Sequence, residues 1–313
     1  MMQIYLPIAE MAVQAETIAF LGAIVGVISG VFGIGGGFLT TPFLIFLGIP
    51  PAVAVGTQAS QLVASSTTAI AGHWKKRNLD FKMAVVLLIG GFVGTLLGTL
   101  LFGLLQYLGQ IDMVISILYV VLLCSIGWMM LSESAMTLLK MRKNDTLDEE
   151  SQLSAPDKPG WIEQLRHTLP YKMSFPESRL HISVILPLTI GFVGGVMVSV
   201  MGIGAGFLLV PAMIYFLKMP PLLVAGTSLV QIMATSAMAC ILHAVTNQTV
   251  DLILAAILIG GSVIGAQIGV RLSRYITGAM ARFILASIIM IVGLRLGSDM
   301  FIPPSNLYEL VVQ

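Results

Sequence analysis

The sequence predicts an all-α polytopic membrane protein with two inverted repeats. Three observations support this: the composition, an internal duplication and the distribution of positive charges. Of the 313 residues, 57% are hydrophobic and 10% are charged, and the mean hydropathy is +0.96. An ordinary soluble domain carries about 25% charged residues, so this chain lacks the polar surface that would cover a water-soluble body of its size. The composition therefore predicts a multi-pass protein of the cell membrane.

Apolar segments follow one another along the chain, and most have the about 20 residues that a helix needs to cross the hydrocarbon core. Two segments, 37–48 and 206–217, are too short for this. Each lies between a glycine cluster and a Pro-Pro pair and contains a further proline, as is typical of half-helices or re-entrant pieces. Each repeat is thus expected to have a short helix pair broken by glycine, followed by three long transmembrane helices. The other segments are predicted at 17–32, 51–73, 82–105, 112–131, 182–201, 221–243, 252–271 and 281–297.

A polar stretch, 132–180, separates the two sets of apolar segments. It holds 15 of the 31 Asp, Glu, Lys and Arg residues of the chain. The domain organisation predicted from it is a first membrane repeat at 1–131, a polar linker at 132–180 and a second membrane repeat at 181–313.

The internal duplication is the strongest signal. Gly33–Leu39 (GIGGGFL) returns as Gly202–Leu208 (GIGAGFL), and later positions match in the same register. Further matches pair Pro42 with Pro211, Pro50-Pro51 with Pro220-Pro221, Gly56-Thr57 with Gly226-Thr227, Gln61 with Gln231, His73 with His243, and the ladder Gly90, Gly94, Gly98 with Gly261, Gly265, Gly269.

Lysines and arginines occupy opposite loops in the two repeats. In the first repeat they lie at 75–82, whereas the next loop, 106–112, has none. In the second repeat the loop at 244–251 has none, and the next one carries Arg271, Arg274 and Arg282. Because short positive loops stay in the cytoplasm, the repeats are predicted to be inverted, with the linker in the cytoplasm and both termini outside. This orientation requires each repeat to cross the membrane an odd number of times. The segments 17–48 and 182–217 are either re-entrant or fully spanning, and both alternatives give an odd number of crossings and stay open.

The glycine clusters are candidate anion sites. Glycine lets the backbone leave helical geometry, and the next helix then begins with N–H groups that carry positive partial charge. The alternative is that these glycines only allow close helix packing. The candidate residues are Gly35, Gly36, Gly37 and Phe38 in the first repeat and Gly204, Ala205, Gly206 and Phe207 in the second.

A polar stripe follows each Pro-Pro pair. Its members recur at i, i+4 and i+8, which places them on one helical face. Such a stripe offers hydrogen bonds to the oxygens of a small oxyanion, although interhelical hydrogen bonding is the simpler alternative. In a symmetric carrier the two glutamines would face each other across a cavity. The stripe residues are Thr57, Gln61 and Ser65, and Thr227, Gln231 and Thr235.

No Asp or Glu lies in the middle of a predicted span, so neither a carboxylate proton relay nor a metal site is expected. His73 and His243 end matching helices, where a histidine either couples proton movement to transport or serves as a solvated or capping residue. The net charge of +1 predicts no nucleic-acid partner. The expected partners are a small anionic substrate and the lipid bilayer, and no cofactor is expected.

The motif Gly33–Phe38 with Pro42, Pro51 and Val55-Gly56-Thr57, together with its second copy at Gly202–Phe207, Pro211, Pro221 and Ala225-Gly226-Thr227, resembles the TauE/SafE family of sulfite exporters, also called the 4-toluene sulfonate uptake permease family. The resemblance covers about residues 15–300. It implies a secondary transporter, typically an exporter, of sulfite, sulfoacetate or another sulfonate. Two other hypotheses stay open: a membrane-embedded sulfur-transfer enzyme that uses Cys240, and an assembly subunit that does not transport.

Overall fold

The computed structural model describes residues 3–32, 37–75, 79–143, 170–178, 180–204, 206–272 and 278–301. Within these ranges the chain forms ten α-helices and two short β-hairpins, and the same order of elements occurs twice. Among the described residues, four helical stretches are long and apolar enough to cross a membrane: Phe81–Tyr107, Ile111–Ser132, Leu223–Asn247 and Leu252–Gly269. The protein is therefore an all-α polytopic membrane protein, as the sequence predicts.

The first set of elements begins with an antiparallel hairpin that pairs Gln3 with Gln14 and Leu6 with Met11. A long helix, a short helix and three further long helices follow. Their bounds are β1 Gln3–Leu6, β2 Met11–Gln14, α1 Ala15–Phe32, α2 Gly37–Phe46, α3 Pro51–Lys75, α4 Phe81–Tyr107 and α5 Ile111–Lys143.

The second set repeats this order. Its hairpin pairs Lys172 with Ser183, and its third helix continues into a π-helical turn, His243–Asn247. The bounds are β3 Lys172–Phe175, β4 Leu180–Ser183, α6 Ile185–Met201, α7 Gly206–Tyr215, α8 Pro221–Leu242, α9 Leu252–Leu272 and α10 Gly278–Phe301.

Two features differ from the sequence analysis. The fifth apolar segment was expected to end at residue 131, but α5 continues to Lys143, because the polar residues after Leu131 include no glycine or proline that would stop a helix. The hairpins were not expected, and the second one forms from the last residues of the predicted linker, 132–180. The rest of that linker, at 144–169, lies outside the described residues.

The main helix contacts cross between the repeats. Helix α1 packs on α9, and α4 packs on α6. Helices at equivalent positions in the two repeats also pack together, α3 with α8 and α5 with α10. Glycines make the first two contacts close. A Cβ added at Gly94 would collide with the backbone of Phe192 in α6, and one at Gly265 would collide with the backbone of Ala23 in α1. The two glycine ladders therefore join one repeat to the other.

The end of α4 lies beside the start of its equivalent, α9. Gln106, in the last turn of α4, donates from Nε2 to the backbone oxygen of Asn247 at 3.3 Å, and Asn247 precedes the start of α9. Inverted repeats predict a contact of this kind.

Candidate anion-binding site

The glycine breaks of the two repeats lie side by side against α3. Gly37 begins α2, and a Cβ added there would lie 3.0 Å from the backbone nitrogen of Gly204 and 2.8 Å from Nε2 of Gln58. A Cβ added at Gly204 would lie 2.6 Å from Cδ2 of Leu62. The backbones of Gly37 and Gly204 therefore approach each other closely, whereas the neighbour of Gly204 on its other side is the flexible end of the Leu62 side chain.

Part of the predicted glycine site can be placed. Gly37 and Gly206 open the short helices α2 and α7, and Phe38 is buried in the main apolar cluster. Gly35, Gly36, Ala205 and the side chain of Phe207 lie outside the described residues.

Side chains from α3 and α5 hold the breaks in position. The amide of Gln58 donates to the carbonyl oxygen of Gly37 and accepts from the Thr41 hydroxyl. The hydroxyl of Tyr119 donates to the carbonyl oxygen of Met201 at 2.6 Å and also hydrogen-bonds Thr41. Because the last carbonyls of a helix lack intrahelical partners, Tyr119 satisfies a group that the end of α6 leaves open.

The stripe threonines Thr57 and Thr227 bind backbone groups of the opposite repeat. Thr57 Oγ1 accepts from the backbone N–H of Asp251 at 3.0 Å, and Thr227 Oγ1 accepts from the backbone N–H of Asp80 at 3.2 Å. Both threonines are fully buried. Their contacts give them a role at the starts of α9 and α4.

The two aspartates continue these contacts. Asp80 caps α4 by accepting from the N–H of Met83 at 3.0 Å, and it also accepts from the N–H of Ser178, in the turn of the second hairpin, at 3.2 Å. Asp251 caps α9, and it accepts from the N–H of Ile8, in the turn of the first hairpin, at 3.1 Å. Each hairpin is thereby docked on a long helix of the other repeat.

A small cavity brings three of the predicted residues together: Gly37, Gln61 and Ser65. Its volume is about 20 Å³, which has room for about one water molecule. Among the residues that the structure describes, no charged side chain lines it. The described lining is Val25, Gly26 and Ser29 of α1, Gly37 of α2, Gln61, Leu62 and Ser65 of α3, and Ser262 and Ala266 of α9.

Gln61 is the polar centre of this cavity. Its side chain is 5% exposed, and its Oε1 is buried without a hydrogen-bonding partner. A buried polar group left unpaired costs about 1–3 kcal/mol, and the cavity leaves room beside this oxygen for a donor such as water or a bound ligand. The Oε1 of Gln231 in the second repeat is also buried without a partner among the described residues. Rotation about the last side-chain bond exchanges the amide oxygen and nitrogen, so Gln61 can present either N–H donors or an acceptor to that ligand.

The equivalent residues of the second repeat are packed among helices. Gln231 is fully buried, and its Nε2 donates to the carbonyl oxygen of Gly191 at 3.3 Å. Thr235 donates to the carbonyl oxygen of Gln231 at 2.8 Å, and its methyl group lies against Gly91. Neither residue lines the cavity of Gln61, so the structure does not place the two glutamines opposite each other across it.

His243 is buried, and both of its ring nitrogens have partners. Nε2 lies 2.9 Å from the carbonyl oxygen of Ser199 and therefore donates to it, while Nδ1 accepts from the side-chain amide of Asn247 at 2.9 Å. These contacts favour a structural role at the π-helical turn over proton coupling. They also leave neither nitrogen available to activate the Cys240 thiol. The side chain of His73 lies outside the described residues.

Three residues of the cavity lining were not predicted from the sequence as site residues: Ser29, Ser262 and Ala266. One signal was present for Ser262, which directly follows Gly261 of the glycine ladder. It therefore lies in the close contact between α9 and α1.

The chain is similar to known membrane proteins over most of its length. The profile of the family described as "Sulfite exporter TauE/SafE" matches residues 18–296. The chain belongs to the TauE/SafE family. The "Probable membrane transporter protein YjnA" of Bacillus subtilis is 30% identical over 90% of this chain and 100% of its own length. The "Probable membrane transporter protein YunE" of the same organism is 23% identical over 88% of this chain and 94% of its own length.

A "Probable membrane transporter protein" of Xylella fastidiosa is 26% identical over 80% of this chain and 82% of its own length. No solved structure matches the chain. This TauE/SafE protein is thus a multi-pass membrane transporter, and its cavity at Gln61 is the candidate site for what it transports.

Proposed function

We propose that the protein is a secondary carrier that exports a small sulfur-containing oxyanion, such as sulfite or an organosulfonate, across the cell membrane. The observation that carries the proposal is the buried, unpaired amide of Gln61, which lines a cavity with Gly37 at the start of α2. The family description supports the sulfur-containing class of substrate.

The chemistry of the cavity suits an anion. The positive end of the α2 dipole favours negative charge at Gly37. The amide of Gln61 and the hydroxyl group of Ser29 supply donors that replace the water around the oxygens of the ion. The hydroxyl groups of Ser65 and Ser262 donate to the carbonyl oxygens of Leu62 and Ile259 at 3.2 and 3.1 Å, and each turns towards the ion by rotation about one bond. The described part of the lining contains no carboxylate that would repel it. A site with these groups binds an oxyanion without a lysine or arginine, and therefore also releases it readily.

The position of the cavity suits a carrier. An oxyanion of four or more heavy atoms needs more room than one water molecule, so it enters when the helices around the cavity separate. Helices α1, α3 and α9 line the cavity, and α1 and α9 belong to different repeats. A rocking movement of one repeat against the other therefore changes access to the site, as in other carriers built from inverted repeats.

The test is counterflow of radioactive sulfite into liposomes that contain the purified protein. Unlabelled sulfite, sulfoacetate, taurine, sulfate or an unrelated carboxylate is placed inside, and accumulation of labelled sulfite is followed. We expect accumulation with internal sulfite or sulfonate and little with the carboxylate. Equal exchange with every anion would contradict the substrate class, and no exchange with any anion would contradict the carrier function and favour the assembly subunit.

The direction of transport is tested in membrane vesicles. Everted vesicles expose the cytoplasmic face, so an exporter accumulates sulfite in them and not in right-side-out vesicles under the same gradient. The Gln61→Leu variant serves as the control in both assays, because it removes the amide while retaining a side chain of similar length. Accumulation in right-side-out vesicles alone would make the protein an importer.

A further inference from the structure

We infer that each chain has one anion site, at Gln61 of the first repeat, and that Ser65 and Ala266 keep it open while Thr235 and Thr95 fill the equivalent place at Gln231 of the second repeat. This inference rests on the proposed function and assigns the residues that make the two halves of the carrier unequal.

Equivalent positions follow from the duplicated motifs. The ladder pairs Gly90 with Gly261 and Gly94 with Gly265, so Gly91 corresponds to Ser262 and Thr95 to Ala266. The helix contacts give the same register. A Cβ at Gly195 would collide with the Gly91 carbonyl, and in the same way a Cβ at Gly26 would collide with the Ser262 carbonyl. Gly26 of α1 therefore corresponds to Gly195 of α6.

Around Gln231, side chains occupy the space between the equivalent helices. Thr95 is fully buried and donates to the carbonyl oxygen of Gly195 at 3.5 Å. The methyl group of Thr235 would lie 2.7 Å from a Cβ at Gly91. Gln231 uses its amide nitrogen on Gly191. These three contacts close the place where a second site would form.

Around Gln61, the equivalent space is open. Ala266 has neither the hydroxyl nor the methyl group of Thr95, and Ser65 lacks the methyl group of Thr235. Both Ala266 and Ser65 line the cavity, as does Gly26, the equivalent of Gly195. The amide oxygens of Gln61 and Gln231 are both buried without a partner among the described residues. The two residues differ in the amide nitrogen, which donates to the Gly191 carbonyl in Gln231 and has no such bond to a described residue in Gln61. The smaller side chains around Gln61 therefore create the space beside its amide.

The consequence is a carrier whose two halves have similar backbones and different tasks. The substrate lies among α1, α2, α3 and α9, and the second repeat supplies packing in the equivalent place. The ligand class is a small oxyanion that is recognised by neutral donors. The number of ions bound per chain is one.

The experiment fills the first cavity and opens the second. The variant Ala266→Thr places beside Gln61 the threonine that stands at the equivalent position beside Gln231, and its matched control, Thr95→Ala, makes the reverse change. Binding of sulfite to the purified full-length protein is measured by isothermal titration calorimetry. We expect one sulfite per chain in the wild type, affinity weakened about tenfold or more in Ala266→Thr, which corresponds to about 1.4 kcal/mol, and wild-type affinity in Thr95→Ala.

A graded variant keeps the test decisive if Ala266→Thr fails to fold. Ala266→Ser adds only a hydroxyl group, and it is expected to weaken sulfite binding several-fold while the thermal unfolding temperature stays close to that of the wild type. Two sulfites per chain in the wild type would overturn the inference, and so would unchanged affinity in both variants at Ala266. Weakening in Thr95→Ala equal to that in Ala266→Thr would also overturn it.

The outcome separates this inference from the proposed function. If the wild type neither binds sulfite nor exchanges any anion of the panel, the proposed function fails. If the wild type binds and exchanges sulfite but filling the first cavity has no effect, only the assignment of the site to the first repeat fails.

Discussion

Gln61 and Gln231 show how one residue type at equivalent positions acquires different roles. Gln61 lines a cavity without a hydrogen-bonding partner among the described residues, whereas Gln231 donates to the Gly191 carbonyl between helices. The difference arises from the helices packed beside them, which bring Ala266 to the cavity of Gln61 and the Gly191 carbonyl to Gln231.

The first prediction compares Gln61→Leu with Gln231→Leu. We expect Gln61→Leu to slow sulfite exchange or raise its half-saturation concentration while stability stays the same or increases, because no protein hydrogen bond is lost. Gln231→Leu should cost about 1 kcal/mol of stability and leave the sulfite dependence of the remaining exchange intact. Exchange rates in liposomes and thermal unfolding in detergent measure the two effects. The opposite pattern would exchange the roles of the two glutamines.

The second prediction concerns Thr57, which the sequence places in the anion site. Thr57→Val removes the oxygen that accepts from the Asp251 N–H, so a buried donor loses its partner and stability should fall by about 1–3 kcal/mol. Thr57→Ser retains the oxygen and should stay close to the wild type. The half-saturation concentration for sulfite should be the same in all three proteins. An increase of that concentration in Thr57→Val without loss of stability would return Thr57 to the site.

The sequence suffices to select Gly37, Gln61 and Ser65 as candidate site residues, because a helical period and a repeated motif can be recognised without the fold. It does not predict the partner of Thr57. Thr57, Gln61 and Ser65 share one helical face, but Thr57 meets the backbone of Asp251, 194 residues away. Only the packing of α9 against α3 decides which part of the stripe faces a cavity.

At the level of elements, the glycine ladders determine how closely α1 and α9 approach. Gly261 and Gly260 are neighbours on α9 with opposite surroundings. A Cβ at Gly261 would collide with the backbone of Ala19, whereas nothing lies within 4 Å of a Cβ at Gly260. Substitutions at these two positions therefore distinguish the effect of helix packing from the effect of the low helix propensity of glycine.

The third prediction uses this pair. Gly261→Ala should force α1 and α9 apart and lower the unfolding temperature, because a backbone cannot move aside as a flexible side chain does. Gly260→Ala should raise stability by up to about 1 kcal/mol, since alanine has the higher helix propensity. Thermal unfolding of both purified variants is the measurement. Equal effects of the two substitutions would mean that α1 and α9 do not pack closely.

The helices could be predicted from the sequence because long apolar runs with few charges leave little alternative. The short helices α2 and α7 were predicted from the glycine cluster and Pro-Pro pair that bound them. The hairpins were missed because each of their strands has four residues, too few for an alternating pattern to stand out. Their stability comes from docking on Asp80 and Asp251, a long-range contact that no local pattern reports.

For the whole molecule, the contact between the end of α4 and the start of α9 supports inverted repeats, and the distribution of positive charges predicts which end lies in the cytoplasm. Lys82 at the start of α4 and Arg271 at the end of α9 are both exposed, as is Gln110 beyond the end of α4. Positive residues of short loops stay on the cytoplasmic side.

The fourth prediction tests this topology with single cysteines in a protein in which Cys124 and Cys240 are replaced by serine. Cysteines at Lys82 and Arg271 should react with a membrane-impermeant maleimide only from the cytoplasmic side. A cysteine at Gln110 should react only from outside. Labelling of intact cells and of everted vesicles distinguishes the two sides. Labelling of Arg271→Cys and Gln110→Cys from the same side would rule out the inverted arrangement.

The docking of the first hairpin on α9 also has a consequence for biosynthesis. Ile8 and Asp251 are 243 residues apart, and a ribosome adds about 5–20 residues per second. The hairpin and α1 therefore leave the ribosome on the order of ten seconds or more before their partner helix exists. During that interval the glycine face of α1 has only lipid or a membrane chaperone beside it. A nascent chain that stalls after the first repeat would present this unpaired surface to the proteases that remove incomplete membrane proteins.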